Sequence, residues 1–177
     1  MQRKKLSLKD RVLRSCVSVK GESVQYSFDR IEKNYDLANS VIDELAKLIL
    51  RQGQGVEPDF IIAAPDESGW IARRFAKNYY GRWAINLASF ATNEEGLYFD
   101  TPPRCDDVSG VLVINSLASL PLVHQALGYE NLHEKISSVI SLINPNPNIA
   151  RPVPATTPVT SLFNVDDRCL FEVIGQK

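Results

Sequence analysis

The sequence predicts an α/β fold: a doubly wound, mainly parallel five-stranded sheet with a small N-terminal decoration. Three observations carry this expectation. Val111, Leu112, Val113 and Ile114 form a β-branched and aliphatic run that is apolar on both faces, as a central strand of a parallel sheet requires. Other short apolar runs alternate with stripes at helical spacing and are bounded by Gly, Pro and small polar residues. The central run stops at Asn115-Ser116, and a helical stripe of Leu122, Val123, Ala126 and Leu127 follows. In open α/β sheets ligands bind outside the carboxyl ends of the strands, so residues 115–119 are expected to hold a site.

At 177 residues the chain is expected to be a basic N-terminal arm (1–16) and one α/β domain (17–177). An apolar fraction of 44% supplies a core, and a net charge of -1 gives no global field for nucleic acid or membrane. No apolar stretch reaches the length of a membrane span, and the basic first residues are not followed by the apolar core of a secretory signal. The expectation is a cytoplasmic protein with no membrane partner. Cys16, Cys105 and Cys169 are odd in number and widely spaced, so they form neither a zinc cluster nor a disulfide framework. No metal and no cofactor are expected.

In chain order, Arg3, Lys4, Lys5, Lys9, Arg11 and Arg14 stand against a single acid, Asp10. Such a segment is either an arm for nucleic acid or another anionic partner, led by Arg3, Lys4 and Lys5, or a solvated helix with a frayed end. Val19, Val24, Tyr26 and Phe28 alternate loosely and predict a strand or hairpin bending at Gly21. Asn34 or Asp36 caps a helix whose stripe runs Leu37, Val41, Ile42, Leu45, Leu48, Ile49, and Gly53 and Gly55 end it. Strands are predicted at 58–64, 83–90, 110–115, 136–143 and 159–165. A helix from Trp70 to about Tyr80 follows the loop at 65–69, and a second helix follows the central strand, with Ser119 as N-cap, Pro121 in the first turn and Gly128 as C-cap. Asn93-Glu94-Glu95-Gly96 is turn chemistry leading into Leu97-Tyr98-Phe99. Residues 144–158 are proline-rich and read as a loop.

Four stretches resemble the type I phosphoribosyltransferases, and among them the orotate phosphoribosyltransferases. Tyr26-Ser27-Phe28-Asp29-Arg30 is similar to the family's N-terminal Tyr-Phe-Asp-x-Arg element. Ile62 to Ala72 is similar to the strand and first loop that hold pyrophosphate, Val111 to Val123 stands in the place of the phosphoribosyl-pyrophosphate signature, and Val159 to Phe163 is similar to the last strand. The resemblance implies the fold, a dimer, and a signature of two acids that grip the ribose hydroxyls before a loop whose backbone N–H groups cradle the 5-phosphate.

This chain departs from that signature. Asn115 and Ser116 replace the acid pair, Ser119 keeps one hydroxyl, and Pro121 stands in place of a glycine although it has no N–H to offer. The first loop carries Asp66 and Glu67, which repel pyrophosphate, and Asn93-Glu94-Glu95-Gly96 replaces a catalytic loop rich in Lys and His. Three anion contacts are thus missing or inverted. Each lost donor costs on the order of 10²–10³ in rate, so little transfer chemistry is expected to survive.

The candidate ligand-binding residues are Asp66, Glu67, Ser68, Gly69, Asn115, Ser116 and Ser119, with no catalytic residue assigned. The expected function is a phosphoribosyltransferase-like binding, regulatory or complex-forming module, with a nucleotide or phosphorylated sugar as the ligand class. Its partner is a second copy or another protein, meeting Leu97, Tyr98 and Phe99; the alternative is that Leu97 and Phe99 fold back onto their own sheet as a hairpin strand, with Tyr98 outward. The alternatives are a divergent enzyme using magnesium, either for phosphoribosyl transfer or for N-glycosidic cleavage through Asp66 and Glu67, and a nucleic-acid-associated protein. His124, His133, Asp106-Asp107 and Asp166-Asp167 are read as surface groups, and Trp70 and Trp83 as core.

Overall fold

The computed structural model describes residues 6–20, 23–65, 68–79, 85–145, 157–166 and residue 170. In chain order these hold α1 (Leu8–Cys16), β1 (Val17–Lys20), β2 (Ser23–Tyr26), α2 (Asp29–Lys33), α3 (Tyr35–Gln52), β3 (Phe60–Ala63), α4 (Gly69–Tyr79), β4 (Asn86–Asn93), β5 (Gly96–Thr101), β6 (Gly110–Ser116), α5 (Leu120–Gly128), β7 (Ile136–Asn144) and β8 (Val159–Asn164). The main sheet runs β5-β4-β3-β6-β7-β8, and β1 and β2 form a separate antiparallel pair. The five expected strands are all parallel neighbours. The segment around Leu97 adds a sixth strand, antiparallel at the edge. Asn93 makes that hairpin: its side-chain Oδ1 accepts from the N–H groups of Glu95 (2.9 Å) and Gly96 (3.1 Å), and Gly96 takes φ 119°.

Every residue of β6 is buried, so each face of the strand belongs to a different core. Val111 and Val113 face one side with Ile61, Ile140 and Leu142, beneath α1, α3 and α4. Leu112 and Ile114 face the other with Phe60, Ile62 and Val139, beneath Val123, Ala126 and Leu127 of α5. Full burial of each such aliphatic side chain contributes roughly 1.5–3 kcal/mol, so the double-sided strand is a dense source of stability.

The helices follow their sequence signals with two corrections. Asn34 caps α3 by accepting from Leu37 N–H at 3.0 Å, and the helix unwinds at Gly53 into Gly55, whose φ is 89°. The first correction concerns the N-terminal arm, expected over residues 1–16. Residues 1–5, and with them Arg3, Lys4 and Lys5, lie outside the described residues, but from Leu8 the segment is a docked helix. Ser7 and Asp10 form a capping box, and Val12, Leu13 and Cys16 are buried in the main core, so the basic residues Lys9, Arg11 and Arg14 ride on an amphipathic helix rather than a free arm. The second correction concerns Gly128. Its φ is -76°, so it does not provide the left-handed cap; a 3₁₀ segment continues to Glu134 and the left-handed residues are Glu130 (φ 45°) and Asn131 (φ 57°). Gly21 and Trp83 lie outside the described residues.

Gly110 opens β6 because nothing larger fits: a Cβ there would run into the ring of Phe60, itself fully buried on the adjoining strand. Gly110→Ala is expected to cost about 1–3 kcal/mol in urea unfolding. Adding Phe60→Leu is expected to cost less than the two single changes summed, because the smaller residue vacates the contested space. Additive losses would show that the contact does not set the residue.

Candidate functional site

The carboxyl end of β6 meets the first turn of α4, and Ser68, Gly69, Asn115 and Ser116 of the predicted site residues lie together there. Asn115, at the end of the strand, is 3% exposed. Its side-chain Oδ1 accepts from the Trp70 indole Nε1–H at 2.9 Å, and its backbone N–H donates to Ser68 Oγ at 2.8 Å. Ser68 is fully buried and Trp70 is 2% exposed. The strand end, the loop end and the helix start are therefore locked by two long-range hydrogen bonds, and a buried polar group finds its partners inside the protein. Ser116 is 5% exposed, and its Oγ accepts from Ala118 N–H at 3.2 Å. Asn144, at the end of β7, donates to Asn164 Oδ1 at 3.3 Å on β8.

Gly69 begins α4. The other predicted residues are distributed more widely. Asp66 and Glu67, and the side chain of Ser119, lie outside the described residues. Pro121 sits in the first turn of α5, where its missing N–H leaves one fewer donor at the helix start. Leu97, Tyr98 and Phe99 lie in β5. Phe99 stacks on Phe90 (ring centroids 4.9 Å) and meets the Tyr129 ring edge-on (5.0 Å), so the cover expected from a partner comes, for this side chain, from the chain itself. Tyr98 is 39% exposed. His124 and His133 are exposed, and among the described residues no cluster of His, Cys, Asp and Glu is suited to a metal. Asp106 is exposed, as expected, but Asp107 is a correction: it is buried and accepts from Asn86 Nδ2 and from Arg104 N–H, both at 2.7 Å, tying the loop before β6 to β4.

Beside the locked strand end lies a cavity of about 500 Å³ between β3, β4, β5 and the start of α4. Two charged side chains line it that sequence reasoning did not single out, Arg73 and Asp100. A signal for Arg73 was present: it stands four residues after Gly69, which puts both on one face of the helix. Asp100 was also within reach: it follows Leu97-Tyr98-Phe99 directly, and the turn at Asn93–Gly96 folds it back to Ser89. Among the described residues no helix is long and apolar enough to cross a membrane.

No protein-family model matches the sequence, and no curated protein matches it. Solved structures do match the fold. Orotate phosphoribosyltransferase from Aeropyrum pernix aligns with TM-score 0.67 and 14% identity over 95% of this chain and 98% of that one. Adenine phosphoribosyltransferase from Thermoanaerobacter pseudethanolicus aligns with TM-score 0.59 and 17% identity over 88% of this chain and 99% of that one. UMP synthase from Leishmania donovani aligns with TM-score 0.64 and 13% identity over 96% of this chain but 37% of its own. The chain has the type I phosphoribosyltransferase fold.

The Trp70–Asn115 bond is expected to be structural and measurable. Asn115→Leu strands the indole N–H in the core and is expected to destabilise by about 1–3 kcal/mol. Trp70→Phe in the same background is expected to recover part of that loss, since the stranded donor is gone. A double-mutant cycle by urea unfolding measures the coupling, and zero coupling would mean that the bond contributes nothing.

Proposed function

We propose that this chain is a phosphoribosyltransferase-fold protein that no longer transfers phosphoribose and acts as a binding, regulatory or complex-forming module, working in the cytoplasm. One observation carries the proposal. Asn115 stands where the resembled family places the first of its two acids, and its side-chain oxygen is already engaged by Trp70 in a buried position. A group that grips ribose hydroxyls must present free acceptor oxygens to the ligand; this one is spent on holding α4 to β6. The neighbouring hydroxyl, Ser116 Oγ, accepts from the backbone of its own turn. With Pro121 lacking an N–H and the turn at Glu94-Glu95 carrying acids, the sequence departures and the local hydrogen bonding point the same way.

A protein contact fits the module better than a catalytic loop does at the β4–β5 hairpin, where Tyr98 stays solvent-accessible at the sheet edge. The partner is either a second copy or a different subunit. The basic residues of α1 keep an anionic partner as the weaker reading, to be recognised by an affinity that falls steeply with salt.

Calorimetry with phosphoribosyl pyrophosphate and magnesium tests the loss of transfer directly, together with an assay of orotate turnover. The expected outcome is no saturable heat and no product. Turnover at about 1 s⁻¹ or more, the range of ordinary enzymes, would restore the divergent-enzyme alternative.

A further inference from the structure

We infer that a cavity under the last turn of α3, at the amino ends of β3, β6 and β7, is a site for a small organic cation. Its ligand has the bulk of one ring, an ammonium group at one end and a hydrogen-bonding group at the other. The inference does not rest on the proposed loss of phosphoribosyl transfer. The cavity lies at the opposite end of the sheet from Asn115 and from the loop at 65–69. Of the four stretches that resemble the transferases it touches only Val111, the second residue of β6.

The cavity exists because helix and sheet end at different levels. On the face of the sheet that α3 covers, β7 places Ser138, Ile140 and Leu142 in one row. Ile140 and Leu142 fill their places with aliphatic bulk. At Ser138, which pairs with Val111, the row ends in a small polar residue that is still only 5% exposed. The helix stops above it at Gln52, and the chain turns away through Gln54 (φ 53°) and Gly55 (φ 89°) before Pro58 returns it to β3. The turn is tight: a Cβ on Gly53 would stand 2.5 Å from the Val56 carbonyl oxygen. The space beneath holds about 140 Å³, close to that of a cavity that accommodates benzene. Ile49, Val56, Val111 and Pro158 give it apolar walls.

The polar groups select the ligand. Ser137 and Ser109 are tied into the wall: the Ser137 hydroxyl donates to the Gly110 carbonyl at 3.0 Å, and the Ser109 N–H donates to Asp59 Oδ2 at 2.8 Å. Ser138 is not. Among the described residues its hydroxyl has no hydrogen-bond partner, although a polar group buried to that degree is normally satisfied. A hydroxyl on the inner end of a ligand supplies what is missing. Of the lining residues Glu57 alone is charged, and it is exposed at the rim. The carboxyl end of α3 adds partial negative charge on the same side. Arg51, the basic residue of that last turn, is turned back along the helix, its Nε donating to the Lys47 carbonyl at 3.2 Å. An anion is repelled from this mouth, whereas an ammonium group, with three donors and no acceptor, pairs with Glu57. A metal ion is poorly served by one carboxylate among apolar walls.

The test uses the full chain, labelled with ¹⁵N, and three probes titrated into the millimolar range at neutral pH: 4-hydroxybenzylamine, benzylamine and 4-hydroxybenzoate. The expected result is saturable shifts at residues 49, 52–53, 56–57, 109, 111 and 137–138 with 4-hydroxybenzylamine. Benzylamine, which lacks the hydroxyl, and 4-hydroxybenzoate, which reverses the charge, are each expected to bind at least about tenfold more weakly, the loss of one good hydrogen bond. Glu57→Gln, at an exposed side chain, is expected to narrow the gap between the amine and the acid. Ser138→Ala leaves the space open and is expected to remove the advantage of 4-hydroxybenzylamine over benzylamine. Ser138→Val continues the aliphatic row and is expected to block all three probes; should it fail to fold, the alanine variant still decides the role of the hydroxyl. Silence at these residues with 4-hydroxybenzylamine overturns the inference, as does equal binding of 4-hydroxybenzoate or binding unchanged in Glu57→Gln. The titration reads the amino end of the sheet whatever phosphoribosyl pyrophosphate does at the other, so the two proposals fail separately.

Discussion

The bond from Trp70 to Asn115 sits where three parts of the molecule meet. The central strand can be apolar only while its backbone is paired on both sides, and β6 achieves this between β3 and β7. Where it ends, the chain must turn through the protein with polar groups that still need partners. Asn115 and Ser68 supply them internally, and Trp70 closes the arrangement from the first turn of α4. The position of α4, and through it the roof of the neighbouring cavity, follows from that tie.

Polar groups at the end of a buried strand can be satisfied in two ways. Polar groups at the carboxyl ends of parallel strands can remain exposed if a substrate satisfies them. They can be buried only if the protein does so. In this chain the carboxyl ends of β6 and β7 take the second course, with Asn115 paired to Trp70 and Asn144 to Asn164. Carboxylates in these buried positions would carry unpaired charge, whereas carboxamides both donate and accept without charge. Neutral side chains at Asn115 and Ser116 therefore suit the packing of this strand end.

The sheet was readable because its signals are local. The run Val111–Ile114 needs burial on both faces, and the stripe from Leu37 to Ile49 needs one apolar wall. Both were met. Gly110 was not readable as a contact site, because its reason is the ring of Phe60, fifty residues away in the chain but adjacent in the sheet. The docking of α1 was hidden by its charge: Lys9, Arg11 and Arg14 dominate the composition, while Val12, Leu13 and Cys16 decide the packing. Asp107 was hidden in the same way, as one of two adjacent acids of which only the other is solvated. At the candidate site the sequence marked the strand-to-helix turn at 115–119, but the burial of Asn115 was not legible, since it depends on which side chain of α4 reaches it.

An opening lies beside that closed turn. A parallel sheet offers crevices wherever neighbouring strands stop pairing at different levels. Here β3 keeps its pairing with β6 one residue further than with β4, so the opening falls on the β4 side of the sheet, beside the locked strand end. Small residues at Ala63, Ala64 and Ala88 keep it from being filled by the core, and the charges at its mouth come from α4 and from the added edge strand β5. The antiparallel hairpin therefore has a structural consequence beyond lengthening the sheet: by pairing Ser89 with Thr101 it carries Asp100 to the cavity, opposite a helix whose position Trp70 fixes.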